Sequence, residues 1–450
     1  MFHDVFAHAL GLGDSSSCVS KPAPDGPDAL KMQRFMGKYF GVFAGVTRSA
    51  KHALPNWPVN VHGCIGYWDT AFEQVRPTTL CRRTFKVAAD AVARDDRRSY
   101  FPDLLTDVDA ELDIKFMCLP IREVDELTGT FVDDGSPFNN KVWGLIVQTK
   151  AQTQAHRATY LPGVYPDVAW DTIKASVQSK ANLRQGEKGE KLRFVAYRTK
   201  CSALSLQQVY AQVLRTNPVQ MVNKIGCPFI EFFNTCKSVP YAVSADQTVL
   251  YDDTQDVRNV ATLLDVQQLS EVVHCRPRQF ETDVLHFVIK YVTRPSDMRQ
   301  ASTFLLTLLQ RQSKFPRMQR QIERRLSDEL SLMEPEFELG EALVALQKRA
   351  QMRTPRSIFE LNWQAQASPH IELRNQLRTY VAEFTPSTET NYLAVAFEAA
   401  CALRMPEEFT ALFGQLMQRY DAEKGLFMFL DQSSRVDITA HVHGGLMSLL

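Results

Sequence analysis

The sequence predicts an α+β domain followed by an all-helical domain, and three observations carry that expectation. Up to about Tyr197, short runs of alternating apolar and polar residues mix with helical spacing in an irregular order, which indicates α+β. From Val257 onward almost every periodic segment has helical spacing. The connections between those segments are short and carry Pro, Asp or Ser, which suits antiparallel helical hairpins.

Taken in order, the polar Gly/Ser/Pro run over 13–29 reads as a loose connection, so residues 1–29 form a partly flexible N-terminal arm. Ala29 to Gly37 has helical spacing, and Tyr39 to Thr47 reads as a buried strand. Pro55 and Pro58 make a turn, after which Val59 to Ile65 pairs back as a strand. Between Thr79 and Asp95, Leu80, Phe85, Ala88, Ala89 and Val92 mark an amphipathic helix, and Phe101-Pro102 breaks the chain beyond it. Leu112, Ile114, Phe116 and Cys118 alternate along a strand, and Gly129 to Asn140 is a polar loop. Val142 to Val147 is a strand paired with Arg157 to Leu161. Val168 to Ala181 is helical, with Trp170, Ile173 and Val177 on one face. A charged hairpin, Arg184 to Glu190, precedes a last strand, Leu192 to Tyr197. These elements place an α+β domain over 30–215 and a connector over 216–256.

The helical domain, 257–450, divides into segments 258–273, 280–293, 297–313, 317–332, 337–352, 371–383, 388–404, 407–421 and 436–449. Acidic loops run directly into its first and last helices, at Tyr251 to Val257 and at Phe429 to Asp437. Barrels of inward and outward helices carry such loops at their rims, so the layout looks similar to α/α-toroid domains; polar N-caps alone produce the same residues.

A chain of 450 residues is long enough for two or three domains. Its 51 basic and 51 acidic residues balance, so no global field points to nucleic acid or to a membrane surface. The nine cysteines show no CxxC or metal-finger spacing, which suits reduced thiols better than a disulfide scaffold. Met1 to Leu12 lacks a basic leader, and no run approaches the ~20 apolar residues of a membrane helix. The expectation is a soluble, cytoplasmic protein.

Four groups of residues in the first half, in order, resemble the AMMECR-one domain family, whose prokaryotic members are called AmmeMemoRadiSam system protein A. They are Tyr39-Phe40-Gly41-Val42-Phe43; His62-Gly63-Cys64-Ile65-Gly66; Phe101-Pro102; and Ala158-Thr159-Tyr160-Leu161-Pro162-Gly163-Val164 with Trp170-Asp171 and Lys180, closing on Arg193-Phe194 and Tyr197-Arg198. The resemblance covers roughly 30–215. It implies a compact α+β unit of a larger and a smaller lobe, with the Gly-Cys-Ile-Gly strand facing the cleft between them. The family's activity is unsettled. This chain departs from the pattern at His62, at the 95–100 junction and at Trp143-Gly144.

Cys64 is the leading candidate for chemistry. A thiol between Gly63 and Gly66 can be approached closely, and it becomes a nucleophile or ligand if its pKa is lowered. His62 falls on the same strand face and makes a Cys–His pair. Tight packing of a buried thiol is the competing structural reading. Asp95, Asp96, Arg97 and Arg98, followed by Phe101, can orient a polar ligand, or they are a solvated charge run. Tyr160 and Trp170 either wall the ligand or fill the small lobe's core. In the helical domain Asp437 and His441 stand one turn apart and, with Asp252, Asp253 and Asp256, are candidates to line a cavity as acid/base or metal groups. Helix-start acids need no such role. The basic run Arg311 to Arg325 reads as a solvated face or partner surface.

Two functions are expected, with no cofactor named. One is an enzyme or small-polar-ligand binder at the cleft. The other is a scaffold holding a protein partner through the cleft and helical domain. A third, a carbohydrate- or isoprenoid-active helical domain, rests on the acidic candidates alone.

Overall fold

The computed structural model describes residues 7, 9–10, 12, 39–48, 65–69, 71–94, 110–149, 157–182, 192–275, 277–330, 333, 342, 346, 354–367 and 369–450. The expected helix at Ala29–Gly37, the turn at 52–60, the junction 95–102, the hairpin 184–190 and most of helix 337–352 lie outside them. The chain divides into two compact units, one of residues 1–104 and 109–206, the other of 105–108 and 207–450.

The first unit is built on a six-stranded sheet in the order β2-β1-β3-β6-β4-β5. The strands are β1 (Tyr39–Arg48), β2 (Ile65–Trp68), β3 (Ala110–Val124), β4 (Gly144–Thr149), β5 (Arg157–Tyr160) and β6 (Leu192–Ser205), with every neighbouring pair antiparallel. Alternation sends Leu145, Val147, Phe194 and Ala196 to one face. There they meet Ile173 and Val177 of helix α2 (Trp170–Lys180). Ile146, Val195 and Tyr197 point the other way, to Phe40, Phe43, Phe72, Met117 and Leu161. Phe40 and Phe43 reach one cluster although three residues apart, because the β1–β3 register shifts between Tyr39 and Gly41. Helix α1 (Pro77–Arg94) packs on β1 and β2, burying Leu80, Phe85, Ala88 and Ala91.

β6 runs eight residues past the expected Tyr197, because β3 supplies a partner as far as Glu111–Ser205. The sheet curls, bringing its two edge strands together: the Arg157 guanidinium of β5 lies 4.6 Å from the ring centre of Trp68 on β2.

The second unit begins with α3 (Leu206–Thr216) and α4 (Pro218–Thr235). α4 corrects the expected connector over 216–256. It buries Met221, Val222, Ile225, Phe229, Ile230 and Phe233 along one stripe and leaves Lys224, Glu231 and Asn234 on the other side, a helical period that the sequence already carries. After short strands β7 (Ala242–Val243) and β8 (Val249–Leu250) come α5 (Asp256–Val273), α6 (Phe280–Thr293), α7 (Ser302–Gln312) and α8 (Pro316–Glu329). Then follow α9 (Ile358–Ala367), α10 (Ile371–Ala382), α11 (Thr390–Ala402) and α12 (Pro406–Met417). The unit ends with β9 (Tyr420–Asp421), β10 (Leu426–Phe427), β11 (Ser434–Arg435) and α13 (Val436–Ser448).

α9, which the sequence reading passed over, buries Glu360, Asn362 and Gln364 along with Leu361 and Trp363, so polar and apolar residues do not separate onto faces. The helices alternate in role. α9, α11, α13, α5 and α7 pack in a row in that spatial order, while α10, α12, α4, α6 and α8 pack against them. No helix among the described residues is long and apolar enough to cross a membrane.

Candidate functional site

Of the residues expected at the first unit's site, His62, Gly63, Cys64, Arg97, Arg98 and Phe101 lie outside the described residues. Gly66 is described, and its lack of a side chain has a visible use. It pairs with Phe43 across the β1–β2 ladder, and the Phe43 ring covers it so closely that a Cβ would stand 2.0 Å from Cδ1 and Cε1. Phe43 in turn stacks on Trp68 at 5.9 Å, two residues beyond Gly66.

The other edge strand completes this corner. Beside the Trp68 ring, burial lowers the pKa of Arg157, while nearby Tyr67 and Asp69 favour its charge. Among the described residues Trp68 Nε1 is buried without a hydrogen-bond partner, and Arg157 meets the Trp68 ring without forming an ion pair. Two donors therefore stand together at the strand that continues from Cys64. On the opposite side of β2, Arg83 of α1 lies 4.4 Å from the Tyr67 ring centre.

Tyr160 and Trp170 pack, partly buried, against the core around α2. The Tyr160 hydroxyl pairs with Ser176 Oγ at 2.8 Å, and the Lys180 ammonium sits 4.7 Å from its ring centre. Trp170 Nε1 donates to the Glu126 carbonyl at 3.1 Å, and its ring meets Phe138 and Phe194 edge-on, both at 5.6 Å. Gly129, with φ of +68°, passes directly under that ring. Both aromatics belong to the α2 core and have their polar atoms satisfied within it.

Cysteine usage also differs from the expectation of reduced thiols alone. Cys118, Cys201, Cys227, Cys236, Cys275 and Cys401 are free, but Cys81 of α1 is disulfide-bonded.

In the second unit a cleft of about 540 Å³ opens among α5, α7, α9, α11 and α13. It brings Asp437 and His441 together, as their spacing indicated, and adds Arg258, Asp265, Glu398 and Arg435. Asp437 lies between two guanidiniums, 3.5 Å from Arg258 Nε and 3.4 Å from Arg435 Nε. The second approach is close without hydrogen-bond alignment. His441 Nδ1 is 2.8 Å from Glu398 Oε2, which also accepts from Asn362 Nδ2 at 2.8 Å. Two adjacent glycines make this possible. A Cβ on Gly444 would fall 2.5 Å from Glu398 Oε1, and one on Gly445 would press on Phe397 and on the Glu398 backbone. The glycine pair lets α13 approach α11 closely.

His443, on the buried side of α13, places Nδ1 2.7 Å from Asp265 Oδ2. The remaining acidic candidates stand elsewhere. Asp256 binds Lys290 Nζ at 2.6 Å, Asp252 closes a turn by accepting from Thr254, and Asp253 is exposed and offers its carbonyl to Lys290. None of the three lines the cleft. Asp265 and Glu398 were missed in the sequence; Glu398 is the lone carboxylate of the predominantly apolar α11, a signal that could have found it, whereas Asp265 shares the mixed helix α5 with Asp256 and Glu271. No cluster of three metal-ligating side chains occurs among the described residues.

Comparison of the chain with models of known families, with curated proteins and with solved structures finds no match.

Proposed function

We propose that the first unit is an AMMECR-one-like domain that binds a small polar ligand beside β2, with Cys64 as the reactive or ligating thiol and His62 as its partner. The observation that carries this reading is the pairing of Trp68 Nε1 and the Arg157 guanidinium, two donors brought together by the curl of the sheet at the strand that follows Cys64. A buried N–H with no acceptor is costly, and a ligand oxygen relieves it. A planar guanidinium beside an aromatic face suits a carboxylate or phosphate group. The groups that carry the resemblance support the same corner, since Phe40, Phe43, Leu161 and Tyr197 share one core cluster there.

The test has two readouts on the full-length chain. Small carboxylates or inorganic phosphate should raise the melting temperature, and Arg157→Leu should remove that response. After reduction, Cys64 should label with a thiol reagent faster than the exposed Cys201 and Cys275. A melting temperature unmoved by every such anion defeats the binding reading. A Cys64 slower than both reference thiols removes its chemical role.

A second reading, a scaffold for a protein partner, draws on α6. Leu285, Ile289 and Val292 are exposed at helical spacing on one face of it. Under that reading Ile289→Glu abolishes partner capture while Cys64→Ser leaves it intact; capture retained by Ile289→Glu removes this face from the account. In either reading we take the alternation of cleft-lining and backing helices in the second unit as an α/α-toroid-like arrangement.

A further inference from the structure

The second unit's cleft has a chemistry of its own, independent of the first unit. Its charged lining residues, Arg258, Arg311 and Arg435 against Asp265, Glu398 and Asp437, number three of each sign, so it presents no net field to an ion. Each is also already answered. Asp437 sits between Arg258 and Arg435, Glu398 holds His441, Asp265 holds His443, and Arg311 reaches Glu271 at 3.2 Å. A bound anion or cation would have to compete with these pairs.

What the lining leaves for a ligand is of another kind. Asp265 is 4% exposed, yet it lines the cleft, and its Oδ1 has no hydrogen-bond partner among the described residues. Asn391 Oδ1 is in the same position. Thr303 and Thr307 donate their hydroxyls to backbone carbonyls of Gln300 and Thr303, which leaves those oxygens as acceptors. The amide of Gln268 adds a donor and an acceptor. Phe304 and Phe359 contribute apolar faces. Unpaired acceptors, interleaved with amides and aromatic rings, suit a neutral ligand that brings its own O–H donors and has C–H faces to lay on the rings.

We propose that this cleft binds a neutral polyhydroxylated molecule, a sugar of one or two rings, with Asp265 Oδ1 and Asn391 Oδ1 accepting from its hydroxyls. The volume lies within the usual range for small-ligand pockets, about 300–1,000 Å³. His441, held by Glu398 at the cleft wall, stands beside the same space.

The experiment uses the full-length chain and saturation-transfer NMR with maltose, cellobiose and N,N′-diacetylchitobiose, with citrate, inorganic phosphate and spermidine as charged competitors. At least one disaccharide is expected to bind. Asn391→Leu and Gln268→Leu, both at half-buried positions, should each weaken binding about tenfold with the melting temperature unchanged, the loss expected for one hydrogen bond to a ligand hydroxyl. Arg157→Leu, which removes the first unit's donor, should leave saccharide binding intact, so the two sites fail separately. The proposal is overturned if no disaccharide binds, if both cleft variants bind as the parent does, or if a charged competitor displaces the sugar.

Discussion

Replacing Gly66 by alanine tests how the corner around β2 is assembled. The new methyl would stand 2.0 Å from two carbons of the Phe43 ring, whereas non-bonded carbons rest at about 3.5–4.0 Å. The ring must therefore shift by well over an ångström. Phe43 is only 3% exposed and is stacked on Trp68, so little room is open to it. Overpacking of this kind costs about 1–3 kcal/mol, and expelling the ring instead would forfeit about 1.5–3 kcal/mol of burial. Either route gives a destabilisation of about 2 kcal/mol.

Urea denaturation followed by tryptophan fluorescence is the suitable assay, because Trp57, Trp68, Trp143 and Trp170, four of the five tryptophans, belong to the first unit. Adding Phe43→Leu to Gly66→Ala should recover about 1 kcal/mol relative to the sum of the single changes, since the two side chains contend for one space. A Gly66→Ala protein within about 0.5 kcal/mol of the parent would refute the close packing of Phe43 on Gly66.

Other expectations follow from the same kind of argument. Asp283 of α6 has its carboxyl pushed up from 3.8 to about 6 by burial, against an opposing pull from His286. A raised acid binds its proton more tightly when folded, so its contribution is present below the ordinary value and is lost as pH rises through about 4 to 6. The full difference corresponds to about 3 kcal/mol, which partial solvent exposure reduces to about 1 kcal/mol. Asp283→Asn should therefore gain about that much in urea denaturation near neutral pH and nothing at about pH 3.5; an equal gain at both would contradict the assignment. Asn140, 3% exposed, donates to the Trp143 carbonyl and accepts from Tyr165 N–H, so Asn140→Ala should cost about 2–3 kcal/mol in thermal or urea melts, and a loss below about 0.5 kcal/mol would show those bonds to be dispensable. Among the described free thiols, Cys201 and Cys275 should label first and Cys401, whose burial pushes its pKa well up, last under native conditions; mass spectrometry of labelled peptides reads the order, and early modification of Cys401 would refute it.

Much of the architecture could be read without coordinates where one face of an element meets water. β5, α1, α2 and α6 follow the expected patterns because their apolar positions recur at the period of a half-buried strand or helix, while β1 and β4, buried on both faces, show as short apolar runs. The pattern failed in α9, which buries Glu360, Asn362 and Gln364 against polar partners rather than turning them to solvent and so shows no clean period.

The sites divide along the same line. Asp437 and His441 share a helix, so their spacing alone determined that they would be neighbours; Gly66 likewise announced a close approach. Their partners come from far along the chain. Glu398 reaches His441 from α11, Asp265 reaches His443 from α5, and Arg157 meets Trp68 only because the sheet curls. The same distances separated Asp256 from the cleft by giving it to Lys290. Local periodicity follows from backbone geometry, which each residue carries with it. Which charge answers which depends on long-range packing, and in this protein that packing alone decided what lines the cleft and what closes around β2.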